Sequence, residues 1–90
     1  MARLTDDQAR ERAAGLDGWE LVGNAIRKPY KFADFKSAMA FVNRVAALAE
    51  EVDHHPDFLI EYDRVTLTLT SHDSGGLTER DFRLARKIDG

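Results

Sequence analysis

The sequence contains no cysteine, which removes several kinds of chemistry at once. Disulfide bridges, thiolate ligands for a metal and a cysteine nucleophile are all excluded. Apolar residues never run for more than five positions, as at 38–42 and 45–49, so no membrane-spanning helix is expected. The amino-terminal residues also lack the apolar core of a signal peptide, and we therefore expect a cytoplasmic protein.

Positive charge is also in short supply. Thirteen Lys and Arg residues stand against sixteen Asp and Glu residues, which gives a formal net charge of −3. Binding to nucleic acid or to an anionic membrane surface depends on clustered positive charge, so neither is expected as a direct partner. With 90 residues, of which 43% are apolar, the chain has the size and composition of a single globular domain spanning 1–90.

The hydrophobic patterning predicts three helices and four strands. Capping residues and apolar spacing indicate helices at about 5–15, from 34 to before Pro56, and from 78 onward. Alternation and turn residues indicate strands at 19–22, 25–32, 58–62 and 65–70. The order α-β-β-α-β-β-α, with one apolar sheet face, predicts an α+β two-layer sandwich, in which a four-stranded antiparallel sheet carries the three helices on one face.

Three details of this prediction are open to test. Pro29 lies inside the second strand and has no N–H to donate, so we expect that strand to lie at a sheet edge or to be bulged. The reversal between the last two strands is predicted at Asp63-Arg64. The middle helix, 35–52, has apolar residues over more than one stripe, which indicates burial against its own sheet and against a partner.

The candidate chemistry is concentrated in two short segments. All three histidines lie there, as the pair His54-His55 and as His72, and acidic residues flank the pair. Histidine exchanges protons near neutral pH, and a neighbouring carboxylate favours its charged form and can fix its tautomer. Glu50 and His54 are spaced i,i+4 and face each other if the helix extends that far.

The same residues are also compatible with roles that involve no catalysis. A histidine pair at the end of a helix can simply offset the negative end of the helix dipole. His54, His55 and His72 could instead bind zinc, although metal-binding pairs on helices are usually spaced i,i+4 and not adjacent. Asp81 occupies the last position of the capping box Thr78-x-x-Asp81 and could serve only to cap the final helix.

A larger constellation has the spacing of a known family: Glu50-x3-His54-His55-Pro56, Tyr62, His72 and Asp81. It resembles the pterin-4a-carbinolamine dehydratase family, and the likeness extends over about 4–88. The resemblance implies four antiparallel strands with three helices, and no metal or organic cofactor. It also implies an activity, the loss of water from a 4a-hydroxytetrahydropterin such as 4a-hydroxytetrahydrobiopterin. The product is a quinonoid dihydropterin, and the step belongs to the regeneration of the cofactor of aromatic amino acid hydroxylases.

The same resemblance assigns roles residue by residue. The protons are transferred by His54 and His72, and His55 binds and orients the pterin. The full set is catalytic His54, His72 and His55, substrate-binding His55, Pro56 and Phe58, and the histidine-orienting carboxylates Glu50 and Asp81. Phe58 is a departure from the family pattern, because many relatives have tryptophan at this position.

The resemblance also implies an alternative. Animal members of the family act as dimerisation cofactors of a liver homeodomain transcription factor through the middle helix. An oligomeric interaction module with little or no catalysis is therefore the second hypothesis for this chain. In either case we expect a homodimer or homotetramer, formed through the middle helix and a sheet edge, and for the enzyme a pterin as its small-molecule partner.

Overall fold

The computed structural model of the protein describes residues 2–90, over which it has three α-helices and four β-strands. The helices are α1 (Asp6–Ala14), α2 (Phe35–Val52) and α3 (Glu79–Asp89). The strands are β1 (Glu20–Val22), β2 (Ala25–Lys31), β3 (Asp57–Glu61) and β4 (Arg64–Leu69). A 3-10 turn, His72–Ser74, lies between β4 and α3. The predicted order of helices and strands is confirmed.

Side-chain caps set the points at which the helices begin. Thr5 and Gln8 form a capping box, in which the Gln8 N–H donates to the Thr5 hydroxyl at 3.1 Å and the Thr5 N–H donates to Gln8 Oε1 at 2.9 Å. Asp34 caps α2 by accepting a backbone N–H at 2.8 Å. Thr78 begins α3 and forms the predicted capping box with Asp81. Each cap satisfies N–H groups that have no partner within the helix.

The four strands form one antiparallel sheet in the order β1-β2-β4-β3. Val65, Leu67 and Leu69 of the central strand β4 are fully buried, and the threonines between them lie on the opposite face. Helix residues that complete the same core are Ala9 and Ala13 of α1, Ala38 and Val45 of α2, and Phe82, Leu84 and Ile88 of α3. All three helices therefore cover one face of the sheet, and the predicted α+β two-layer fold is confirmed.

The prediction that the strand containing Pro29 is an edge or a bulged strand is wrong. β2 lies inside the sheet, between β1 and β4, and its pairing with β4 continues without a break from Ile26 to Lys31. β1 pairs with β2 only as far as Arg27. Pro29 lies beyond that point, where β1 no longer needs an N–H from β2. A central strand accommodates proline here because its neighbour is short.

The hairpin between β3 and β4 turns one residue earlier than predicted. Glu61 and Arg64 are still paired, so the reversal takes place at Tyr62 and Asp63. Tyr62 has φ = 56°, a left-handed conformation that is uncommon for residues other than glycine. Its ring stacks on that of Phe35, with the two centroids 6.2 Å apart. Both rings are largely exposed, so the turn presents an aromatic pair at the start of α2.

Hydrogen bonds to Asp89 connect the end of α3 to β2 and to Trp19, the residue before β1. The Asp89 carboxylate accepts hydrogen bonds from Trp19 Nε1 at 2.8 Å, Tyr30 OH at 2.6 Å and Lys28 Nζ at 3.0 Å. Burial alone raises the pKa of Asp89, but the three donated hydrogen bonds outweigh it and hold that pKa below its ordinary value. Burial, together with the bond to Asp89, raises the pKa of Tyr30, so its hydroxyl remains a donor.

Replacing Asp89 with asparagine should lower the free energy of unfolding by about 1–2 kcal/mol near neutral pH, because three donors lose a charged acceptor. The folded-state pKa is depressed, so this contribution is complete above the unfolded pKa of about 3.9 and is lost as the pH falls through the lower folded value. Urea unfolding of both proteins near neutral pH and in acid measures the difference and its decline.

The matched control is Asp17→Asn, the same change at an exposed side chain, which should leave the unfolding midpoint unchanged. Equal stabilities of the Asp89 variant and the parent near neutral pH would contradict the anchoring role of Asp89.

Candidate active site

The paired histidines follow a sharply terminated helix. Asp53, directly after α2, takes a left-handed backbone conformation with φ = 52°. The N–H groups of Asp53 and His54 both bond back to carbonyls of the last helical turn, which is a Schellman-type helix end. The predicted stop before Pro56 is confirmed, since proline cannot continue the helix. His54 and His55 therefore lie on irregular backbone, and their side chains reach different partners.

A buried carboxylate holds His54. The Nε2 atom of His54 lies 2.5 Å from Asp81 Oδ1, and the two residues are 8% and 0% exposed. The other oxygen, Oδ2, accepts hydrogen bonds from the Thr78 N–H and the Ser71 hydroxyl, each at 2.9 Å. Asp81 therefore completes the cap of α3 and contacts His54 at the same time. Hydrogen bonds from three donors offset the free-energy cost of removing this carboxylate from water.

The contact with Asp81 determines which ring nitrogen of His54 carries a hydrogen. An ionised carboxylate only accepts hydrogen bonds, so Nε2 is the donor in this pair. In the neutral ring Nδ1 then has no hydrogen, and it is the atom that can take up a proton and release it again. A ring held in one tautomer and one orientation is suited to general acid–base catalysis.

Glu50 contacts the second histidine rather than the first. Its Oε2 lies 2.5 Å from His55 Nε2, and both side chains are exposed to solvent. The i,i+4 spacing suggests His54 as the partner of Glu50, but the left-handed Asp53 ends the helical path and His54 reaches Asp81 instead. Exposed ion pairs contribute little to stability. Glu50 can therefore orient the ring of His55 without holding it rigidly.

His72 lies apart from the other two histidines. It begins the 3-10 turn and is exposed, and within residues 2–90 its ring makes no hydrogen bond. It lines a cavity of about 340 Å³ between the β1–β2 turn and the loop before α3. Its connection to His54 is indirect, since Ser71, the preceding residue, donates to Asp81. One carboxylate thus ties together the two segments that carry His54 and His72.

The sequence-predicted substrate contacts Pro56 and Phe58 lie just before β3 and near its start. Pro56 is buried, and Phe58 is half-buried with its ring packed against the core. Pro56 follows the histidine pair directly in the chain, and Phe58 lies two residues further on.

A second cavity, of about 180 Å³, lies beside His54 between the end of α2 and α3. Its other lining residues are not among the sequence-predicted site residues: Val52, Arg80, Arg83, Leu84 and Lys87. The signal that could have identified the three cations is their i, i+3, i+7 spacing, which places them on one helix face. Arg80 donates through Nη2 to both oxygens of Asp73, at 2.9 and 3.1 Å.

In the described part of the chain, no three His, Asp or Glu side chains converge in the way that a metal ion requires. His54 and His55 each contact a separate carboxylate, and His72 lies on another cavity. Over the same residues, no helix is long and apolar enough to cross a membrane.

Solved structures of pterin dehydratases share this fold. The crystal structure of a transcriptional coactivator/pterin dehydratase from Brucella melitensis matches with a TM-score of 0.91 and 42% identity, over 97% of this chain and 95% of that one. A pterin dehydratase-like protein, described as a RuBisCO assembly factor in the alpha-carboxysome, matches with a TM-score of 0.64 and 25% identity, over 79% and 82% of the two chains. The architecture is therefore that of the pterin dehydratases.

Sequence comparison identifies the family. The family model described as pterin 4 alpha carbinolamine dehydratase matches residues 2–90. A relative from Thermomicrobium roseum is 54% identical over 98% of this chain and 95% of its own length, and one from Sulfurisphaera tokodaii is 46% identical over 99% and 96%. Both are named "Putative pterin-4-alpha-carbinolamine dehydratase". The protein belongs to the pterin 4 alpha carbinolamine dehydratase family.

Asp81→Asn is expected to reverse the hydrogen bond at the His54 ring. The asparagine oxygen can keep the donors Thr78 and Ser71, and its amide NH₂ then faces Nε2 of the histidine. Nε2 must accept that hydrogen, so the neutral ring carries its own hydrogen on Nδ1. ¹⁵N NMR of the histidine ring nitrogens distinguishes the two tautomers.

The control for this experiment is Asp53→Asn, because asparagine also tolerates the left-handed backbone at that position. It should leave the His54 tautomer as in the parent. An unchanged tautomer in the Asp81 variant would contradict the assignment of Nε2 as the donor.

Proposed function

We propose that this protein catalyses the loss of water from 4a-hydroxytetrahydrobiopterin or a related 4a-hydroxytetrahydropterin. The product is a quinonoid dihydropterin, so the reaction is a step of tetrahydropterin recycling, which we assign to the cytoplasm. The observation that carries the proposal is the His54–Asp81 pair, an almost buried imidazole held in one tautomer beside a cavity. Membership of the pterin dehydratase family supports the same reaction.

The reaction needs one proton donor and one proton acceptor. The bond between C4a and the hydroxyl oxygen breaks, and the hydroxyl leaves with an added proton as water. N5 loses its proton, and the electron pair of the N5–H bond forms the double bond between N5 and C4a. Substrate and product therefore differ only by water, and the proposal includes no metal or organic cofactor. A well-placed general acid or base typically contributes about 10²–10⁴-fold to the rate.

We assign the two proton transfers to His54 and His72. Nδ1 of His54 exchanges a proton while Asp81 stabilises the charged ring that forms. His72 has an exposed ring without a protein partner in residues 2–90, so it can approach a bound pterin from the loop before α3. One of the two donates to the leaving hydroxyl, and the other accepts the proton of N5.

The residues around His55 are assigned to substrate binding. The His55 ring, oriented by Glu50, supports catalysis by donating to polar edges of the pterin. The exposed part of Phe58 provides an apolar surface against which a flat ring can pack, and Pro56, which is buried, contributes by fixing the backbone between His55 and Phe58. Phenylalanine offers no ring N–H, so its contribution is packing alone.

The dehydration rate tests this assignment. His54→Ala and His72→Ala should each lower kcat by about 10²-fold or more, because each removes a proton-transfer group. His55→Ala should mainly raise KM, because it removes a binding contact. The rate is measured on freshly generated 4a-hydroxytetrahydropterin and compared with the spontaneous dehydration.

Asp17→Ala, an exposed change in the α1–β1 loop, is the control and should keep the parent rate. A parent rate no faster than the spontaneous reaction would contradict the dehydratase assignment.

A second candidate function, an oligomeric interaction module with little or no catalysis, is favoured by exposed apolar surface. The residues of α2 that form a half-buried or exposed apolar stripe are Phe35, Met39, Val42 and Ala46. At the sheet edge, Leu59 and Ile60 of β3 are 56% and 38% exposed. Exposed apolar patches of this kind are typical of protein–protein contacts. The carboxysome protein described above as an assembly factor is an interaction protein with a similar fold.

Both candidates are compatible with self-association, and we propose a homodimer or homotetramer formed through this stripe and the edge of β3. The outer side of β3 has unpaired backbone N–H and C=O groups among the described residues, and a strand of a second copy can pair with them. The stripe of α2 can pack against the same stripe of another copy.

Ala46→Glu should shift the protein toward smaller species, because it buries a charge in the proposed helix contact. Light scattering at micromolar concentration measures the mass. Ala14→Glu, the same substitution at an exposed position of α1, should leave the mass as in the parent. A parent that scatters as a 10.2 kDa monomer would contradict the oligomer proposal.

A further inference from the structure

The cavity beside His54 has a cationic wall. Arg80, Arg83 and Lys87 line it, and no lining residue is acidic, although Asp73 pairs with Arg80 and Glu51 with Lys87. This local charge contrasts with the net charge of −3 of the whole chain. The volume, about 180 Å³, lies below the range of about 300–1,000 Å³ that is usual for a complete small-molecule site. The cavity therefore accommodates a substituent of a ligand rather than a whole ligand.

The dipole of α3 does not account for the positions of Arg80 and Arg83, whereas Lys87 lies in the last turn, where the dipole favours positive charge. Arg80 and Arg83 lie in the first half of α3, near the helix end at which the dipole disfavours positive charge. The spacing of three and then four residues places Arg80, Arg83 and Lys87 on one face of the helix, and that face borders the cavity. The positive charges of Arg80 and Arg83 therefore border the cavity at some cost to the stability of the helix.

The hydrogen-bond donors of this wall are only partly used. The Nε atom of Arg80 is buried and has no hydrogen-bond partner within the described chain. Arg83 makes no hydrogen bond or ion pair with residues 2–90. Lys87 lies 3.4 Å from Glu51, in an exposed pair that is worth little. The donors available to a ligand at the cavity are thus those of the Arg83 guanidinium and the weakly paired Lys87 ammonium.

We infer that this cavity binds an anionic group, a carboxylate or a phosphate, carried on the substituent of the pterin. The inference rests on the proposed function for the position of the pterin ring beside His54. Guanidinium groups bind carboxylate and phosphate through paired, charge-assisted hydrogen bonds, which supplies the selectivity. The apolar side chains Val52 and Leu84 form the rest of the wall and contact the stem of the substituent. Among the related pterins that the proposed function includes, the cavity therefore favours one with a charged tail over tetrahydrobiopterin, whose tail is neutral.

Calorimetric titration with two pterins tests the inference. Pterin-6-carboxylic acid carries the anionic group, and biopterin carries a neutral dihydroxypropyl group in its place. The parent protein should bind the carboxylate about tenfold more tightly, and the double variant Arg83→Gln with Lys87→Gln should lose most of that preference. Arg86→Gln, an exposed change on the same helix but outside the cavity lining, should keep it.

Inorganic phosphate is titrated as a competitor to identify the anion. If phosphate displaces pterin-6-carboxylic acid, the site binds phosphate groups as well as carboxylates. If phosphate leaves the affinity for pterin-6-carboxylic acid unchanged, the site binds carboxylates alone. Either result supports an anion site. Equal affinity for the two pterins, no binding of either, or an equal loss in the Arg86 variant would overturn it. Calorimetry measures binding without catalysis. The anion-site inference and the proposed dehydratase activity can therefore fail independently of each other.

Discussion

The hydrogen bonds of one buried carboxylate, Asp81, connect the elements on which the candidate site depends. One of its oxygens receives the first N–H of the α3 cap and the hydroxyl of Ser71, and the other receives His54. A charge removed from water is costly unless every lone pair has a donor, so each donor constrains the position of the others. The donors that surround the buried carboxylate offset the cost of its burial, and together they define one geometry. The start of a helix, the end of a strand and an imidazole ring are held in one arrangement.

The two carboxylate–histidine pairs differ in what they can do, although their distances are the same. The His54–Asp81 pair is shielded from water, so its electrostatic interaction is strong and its geometry is narrow. The His55–Glu50 pair is exposed, and solvent and salt weaken it. A rigid group suits the atom at which a proton must be transferred, and a mobile one suits the recognition of a ligand that enters and leaves.

Much of the fold could be predicted from the sequence, because the formation of each helix and strand depends mainly on residues close to it in the chain. The apolar spacing of α2, the alternation of β4 and the capping box at Thr78 each depend on neighbours within one or two turns of chain. The position of Pro29 could not be predicted in the same way. Its tolerance in a central strand depends on where β1 ends, and the length of one strand is not encoded in the sequence of another.

The candidate site shows the same limit of local reasoning. The residues of the motif were identified from their spacing, but the partner of Glu50 depends on the left-handed backbone at Asp53, which no spacing rule specifies for an aspartate. The contact between His54 and Asp81 joins positions that are 27 residues apart. The cations of α3 do have a local signal, since Arg83 and Lys87 are spaced along one face, but only the fold shows that this face borders a cavity.

The hydrogen bond between Trp19 and Asp89 links residues that are 70 positions apart, and this has a consequence for how the protein is made. During synthesis on the ribosome, Trp19 emerges long before Asp89 has been added. Until then the indole N–H lacks its acceptor, and β1 and β2 lack the cover that α3 provides. The first part of the chain therefore cannot complete its packing before α3 has emerged.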